Sequence, residues 1–297
     1  MAVDKKPVVK MPHFSVLVMP DGRRTRVREL GPRQGSPVVH LHGIPGSCVE
    51  LACHEPLVDE LDVRLISIER PGYGVSDSLD PGSVAGWARD LEAVADALEL
   101  SRFGLLGCSG GGAFALAGAA ALQGRVARVA LTGCPSPFSG PEFVEGMAPQ
   151  NRLVWTLASE GPAALIQVLA PTGSDPLALV DQMLQSLHAA DAAIFDDPAV
   201  RLGFRQALVE GLHQGISSVA GEFALVASPW GFDLAQVRQR VDIWHGDADV
   251  NIPVSHAWRL FDSLPSSRIH LRAGKGHFEI HGPELLAHVL ETLKGEG

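Results

Sequence analysis

The chain has 297 residues, 46% of them hydrophobic, enough to build one large α/β domain with a buried core and an insertion. Its formal net charge of −10 at pH 7 argues against a nucleic-acid partner and favours neutral or cationic small-molecule substrates at long range. Cys48, Cys53, Cys108 and Cys134 lack metal-ligand spacing, Met1 to Pro7 is polar, and no apolar run is long enough to span a membrane. A reduced cytoplasmic protein with no membrane contact is therefore expected.

The first predicted elements are strands over residues 14–19 and 24–30, turned as a hairpin at Pro20-Asp21-Gly22. Apolar runs predict further strands near 37–42, 63–69, 102–108 and 126–133, and then at 241–246 and 267–272. Helical patterns occupy about 48–61, 83–100, 110–123, 253–264 and 283–294. Strands alternating with helices imply a mostly parallel sheet covered on both faces.

The stretch between Thr132 and Val241 is too long for a simple crossover and must hold an insertion. It reads as helical, with Leu-Ala-rich stretches over 161–170, 177–195 and 200–213, broken at Pro171, Asp175-Pro176 and Asp197-Pro198. This divides the chain into a core, residues 1–134 and 231–297, and a helical insertion over 135–230.

The chemistry is concentrated at the ends of predicted strands. Gly107-Cys108-Ser109-Gly110-Gly111 matches the G-x-S-x-G pattern, between an apolar strand and an Ala-rich helix. A strained turn there presents a serine and needs neighbours without side chains. Serine is a poor nucleophile at neutral pH, so it requires a base and a group that orients the base. Downstream, the strand ending at His245 leads into Gly246-Asp247-Ala248-Asp249, and the next leads into Gly276-His277-Phe278. Open parallel sheets build their sites on such loops.

Three further motifs accompany these. His42-Gly43-Ile44-Pro45-Gly46 follows the strand at 37–41, Glu69-Arg70-Pro71-Gly72-Tyr73-Gly74 follows that at 63–68, and Ile252-Pro253 closes the acidic loop. In this order and spacing the motifs resemble the alpha/beta-hydrolase superfamily from about residue 37 to the C-terminus. The resemblance implies an alpha/beta-hydrolase fold whose helical insertion roofs the site as a cap. Phe138, Trp155, Met183, Phe223 and Trp230 are then candidate pocket-lining residues.

The resemblance also implies roles. Ser109 would be the nucleophile, His277 the general base and acid, and Asp249 the acid that orients His277. The amides of Ile44 and Gly110 would form the oxyanion hole, and neither a cofactor nor a metal is required. Among rivals, His42 suits a loop-bracing role, Asp247 stands in the position that aligns less well, and His281 is assigned to the start of the last helix.

Ser109 stands where epoxide hydrolases and haloalkane dehalogenases of this fold carry aspartate, which disfavours both. Gly43-Ile44-Pro45-Gly46 differs from the Gly-Gly-Pro-Gly loop of prolyl iminopeptidases, and Ile44 stands where perhydrolases usually place an aromatic. The leading expectation is a serine hydrolase of an ester, thioester or lactone acting on an acyl substrate. Amide or carbon–carbon hydrolysis, a lyase or acyltransferase on the same residues, and a non-catalytic receptor stay open.

Overall fold

The computed structural model describes residues 9–11, 13–80, 82–173 and 175–294; the polar stretch Met1 to Pro7 lies outside them. Among these residues nine strands form one sheet: β1 (Val9–Met11), β2 (Phe14–Val18), β3 (Arg24–Leu30), β4 (Ser36–Leu41), β5 (Val63–Ile68), β6 (Phe103–Cys108), β7 (Val126–Thr132), β8 (Arg240–Gly246) and β9 (Ser267–Arg272). Their order is β1-β2-β3-β5-β4-β6-β7-β8-β9. β1 to β3 pair antiparallel and β3 joins β5 antiparallel, while the remaining pairs are parallel. The 14–30 hairpin and all six later strands thus form, in the mostly parallel, helix-covered sheet that the sequence predicts.

The burial of each strand follows its composition. β6 is buried at every residue, as its sequence Phe103-Gly104-Leu105-Leu106-Gly107-Cys108 requires of a strand covered on both faces. β9 lies at the sheet edge and is nowhere fully buried, with Arg268 and Leu271 exposed. Helices α1 (Glu55–Glu60), α2 (Ala88–Ala97), α3 (Gly111–Ala121), α10 (Ser255–Ser263) and α11 (Pro283–Lys294) belong to this layered core. No helix among the described residues is long and apolar enough to cross a membrane.

The first two predicted helices are shorter than expected. α1 begins only at Glu55, because Pro56 favours the first turn of a helix, and residues 52–54 before it form a 3-10 turn. α2 is preceded by a similar turn at Ala85–Trp87 and ends before Glu99, whose φ of 57° no helix accommodates. His281 falls in the 3-10 turn Glu279–His281, not in α11, whose start is set by Pro283.

Between β7 and β8 the chain forms α4 (Pro149–Glu160), α5 (Pro162–Gly173), α6 (Pro176–Gln185), α7 (Ala189–Ala192), α8 (Pro198–Gly211) and α9 (Ile216–Val226). The predicted break at Pro171 does not occur where expected: α5 runs on to Gly173, because a single proline removes only its own i→i−4 bond and the helix ends two residues later. The predicted 177–195 stretch is not one helix but α6, α7 and a 3-10 turn at Ala193–Asp196, interrupted at residues 186–188.

Candidate active site

Ser109 occupies the turn between β6 and α3 with φ 49°, a left-handed conformation that costs a non-glycine residue energy. The turn is held by Ser109 N–H donating to Thr132 O at 2.8 Å. It is possible only because its neighbours lack side chains. A Cβ on Gly107 would lie 2.6 Å from Gly112 Cα, and one on Gly111 would lie 2.2 Å from Leu41 O.

Three side chains distant in sequence meet at this turn. Ser109 Oγ lies 3.0 Å from His277 Nε2, and His277 Nδ1 lies 2.8 Å from Asp249 Oδ2. The loop after β9 carries His277 and the loop after β8 carries Asp249, whose side chain is wholly buried. Asp249 Oδ1 accepts the N–H groups of Asn251 at 2.8 Å and Ile252 at 2.9 Å, which fixes the carboxylate plane. His245 donates from Nε2 to Ile252 O at 2.7 Å and closes the loop from beneath. Asp247, by contrast, faces outward and accepts Gly274 N–H at 2.7 Å, so it braces the neighbouring loop.

Electrostatics suit proton transfer along this row. Burial disfavours the Asp249 carboxylate, but the charge and hydrogen bond of His277, together with His245 and the Ile252 amide, hold its pKa below the ordinary value. Burial likewise disfavours the His277 imidazolium. Asp249, by charge and hydrogen bond, and then Asp191 and Glu50, nevertheless raise His277 above its ordinary value.

The loop after β4 lies on the other side of Ser109. A Cβ on Gly43 would stand 3.6 Å from Ser109 Cβ, and one on Gly110 would stand 2.4 Å from Ile44 Cδ1, so the two predicted amide donors are neighbours. Among the described residues no protein acceptor pairs with the N–H of Ile44 or of Gly110. Charged groups hold the Gly43 peptide from both directions. Gly43 N–H donates to Glu50, while Arg70 donates from Nη1 to His42 O at 2.6 Å and from Nη2 to Gly43 O at 3.1 Å.

His42 spends both ring nitrogens on this loop. Nδ1 donates to Gly43 O at 2.8 Å, and Nε2 accepts Arg70 N–H at 3.3 Å. Burial first, and the Arg70 charge second, keep His42 well below its ordinary pKa, so the ring is neutral. His281 is buried too, and burial lowers it to about 4.

Two carboxylates of the site, Glu222 and Asp191, lie in no motif, and Arg70 and Tyr73 gain their roles only through the first of them. Arg70, wholly buried, donates to both Glu222 oxygens, at 2.6 Å and 2.7 Å, and Tyr73 O–H donates to Glu222 at 2.7 Å. Glu222 stands on α9, so this pair ties the loop after β5 to the insertion, and the Arg70 bonds to His42 O and Gly43 O extend the tie to the loop after β4. A lone Glu in the apolar run Ile216–Val226 is the signal that could have revealed it, because a buried charge needs a partner. Asp191 on α7 accepts Phe278 N–H at 2.7 Å.

His40, Glu50 and Cys108 place ligand-type atoms within 4.8 Å of one another beneath the site. Glu50 is already engaged by His40 at 3.0 Å and by Gly43, and burial keeps the Cys108 thiol protonated, which suits a packed network better than a metal. Of the candidate pocket residues, Trp155 and Trp230 are buried in the main apolar cluster; Phe138, Met183 and Phe223 are partly buried. Phe223 and Ile44 each touch two clusters and lie at the seam between core and insertion.

The family model of the alpha/beta hydrolase fold matches residues 36–281, and the chain belongs to that family. It is 25% identical over 274 residues to a 2-hydroxy-6-oxo-2,4-heptadienoate hydrolase of Pseudomonas putida, covering 88% of this chain and 89% of that one. It is 27% identical over 230 residues to a 2-hydroxy-6-oxononadienedioate/2-hydroxy-6-oxononatrienedioate hydrolase of Escherichia coli, covering 75% of this chain and 73% of that one. Among solved structures, an esterase from Rhodococcus sp. ECU1013 superposes with a TM-score of 0.70 at 24% identity, over 95% of this chain and 98% of that one. At that identity the likeness is one of fold.

Proposed function

We propose that the protein is a serine hydrolase that cleaves a carboxylic ester, thioester or lactone of a small or medium apolar substrate through an acyl-enzyme on Ser109. The observation that carries this reading is the hydrogen-bonded row from Ser109 through His277 to Asp249, beside two amides without a protein acceptor. Ser109 O–H gives its proton to His277 Nε2 as Oγ attacks the acyl carbon, and Asp249 stabilises the imidazolium so formed. The oxygen that gains negative charge receives the N–H groups of Ile44 and Gly110. His277 then protonates the leaving group, and a water activated by the same ring releases the acid and regenerates Ser109. In this reading α4 to α9 serve as a cap that shields the acyl-enzyme, and no metal or cofactor takes part.

A second reading, hydrolysis of a carbon–carbon bond beside a ketone, is favoured by one observation. Two relatives that cover most of this chain are named as hydrolases of 6-oxo dienoates. A ketone carbonyl suits the same imidazole and amides. A panel of p-nitrophenyl esters of graded chain length, run beside a 6-oxo dienoate, separates the two by which class turns over.

The nucleophile is tested by fluorophosphonate labelling. Wild-type protein should be modified at Ser109 and Ser109→Ala should not, with kcat reduced on the order of 10⁶-fold. Equal labelling of both proteins would overturn the assignment.

A further inference from the structure

The loop that carries His277 is held from the side of the insertion. Asp191 is buried on α7, and its Oδ1 accepts Phe278 N–H at 2.7 Å. The carboxylate also lies flat against the backbone on the other side of His277, for a Cβ on Gly276 would come within 2.4 Å of Asp191 Cγ and both its oxygens. Only glycine permits that approach. The ring of Phe278 packs against Phe195 at 5.8 Å and Phe204 at 5.1 Å, so the whole tripeptide Gly276-His277-Phe278 is seated on the insertion.

We propose that Asp191 is a positioning residue for His277: it fixes the imidazole toward Ser109 through the Phe278 amide, and it sets a second negative charge beside the ring that must accept a proton. The proposal rests on the reading of Ser109 and His277 as nucleophile and base. It makes the insertion part of the proton-transfer machinery as well as a cover for the substrate. The groups facing His277 are Asp249 from the loop after β8, His245 from β8, Asp191 from α7, Glu50 from the loop after β4 and His281 from the 3-10 turn. Burial raises the Asp191 carboxyl, while the Phe278 amide and the His277 charge oppose that rise. Removing the Asp191 charge leaves Asp249 and Glu50 to favour the imidazolium, so His277 should lose its proton at lower pH.

The experiment compares wild type, Asp191→Ala, Asp191→Asn and the exposed control Asp196→Asn by fluorophosphonate labelling rate against pH and by NMR titration of His277. Asp191→Ala should label more slowly, by up to about a hundredfold, as a misplaced base requires. Asp191→Asn keeps an acceptor for Phe278 N–H and should recover most of that rate, with both its acid limb and the His277 midpoint moved to lower pH. Asp196→Asn should overlay the wild type. A wild-type rate in Asp191→Ala overturns the proposal. If circular dichroism shows that this variant does not fold, an unmoved His277 midpoint in Asp191→Asn overturns it. Absence of labelling in the wild type instead removes the functional reading, and the role of Asp191 in proton transfer falls with it.

Discussion

The strands at the centre of the sheet and the helices inserted after β7 are held together by different means. β6 buries every residue, and α3 packs so closely on β4 that glycine is required at Gly111. The insertion leaves Leu153, Leu177 and Leu202 exposed, and it fastens to the active-site loops through two buried carboxylates, Glu222 and Asp191. Close packing fixes the serine with respect to the sheet; hydrogen-bonded charge fixes the two loops on either side of it. The first arrangement tolerates no added atom, whereas the second tolerates no lost charge.

That contrast is tested most severely by Gly111→Ala. The new Cβ would stand 2.2 Å from Leu41 O and 2.5 Å from His42 O, both backbone atoms that no rotamer change can move. The variant should lose more than about 5 kcal/mol of stability or fail to yield folded protein. Gly124→Ala, whose Cβ would meet nothing within 4 Å, should stay within about 0.5 kcal/mol of wild type in the same urea titration. Equal stability of the two variants would show that steric closeness does not set the turn at Ser109.

Glu222→Gln probes the other arrangement. It preserves shape but leaves the buried Arg70 guanidinium uncompensated, and breaking a buried pair in this way costs about 3–5 kcal/mol. Thermal denaturation should register the loss. The double variant Arg70→Met with Glu222→Leu should recover much of that stability, because it removes both charges together. It should not recover activity, since His42 O and Gly43 O lose the donors that hold the loop after β4 beside Ser109. Full recovery of both would mean that the pair serves stability alone.

The same two kinds of interaction explain how much the sequence disclosed. β4 to β8 read correctly because parallel strands buried on both faces are apolar runs, and the loops at their carboxyl ends bear Gly43, Ser109 and Asp249 in recognisable surroundings. The meeting of Ser109, His277 and Asp249 could be expected because each follows a strand whose place in the sheet is set by its neighbours. Asp191 gave no such signal. It sits on a four-residue helix in an Ala-rich stretch, and its partner Phe278 lies 87 positions away with no period linking the two. Arg70 lay inside a motif, but its role depends on Glu222, 152 positions away on a helix of the insertion. Short helices and pairwise charges between layers leave no periodic trace, so local pattern can flag Glu222 as a charge in an apolar run but cannot name its partner.

The smallest expected effect separates local helix stability from that of the site. Asp175 caps α6 by accepting the N–H groups of Leu177 and Ala178, each at 3.1 Å, and it is exposed. Asp175→Ala removes both acceptors and should cost about 1 kcal/mol. Asp175→Ser should restore part of this, because a hydroxyl can accept one of the two bonds. Hydrogen exchange should speed up in α6 while the amides of β6 keep their protection, because a cap acts on its own helix and the sheet unfolds only globally. Uniformly faster exchange through β6 as well would mean that α6 and the sheet unfold as one unit, and the distinction drawn between the two regions would not hold for this helix.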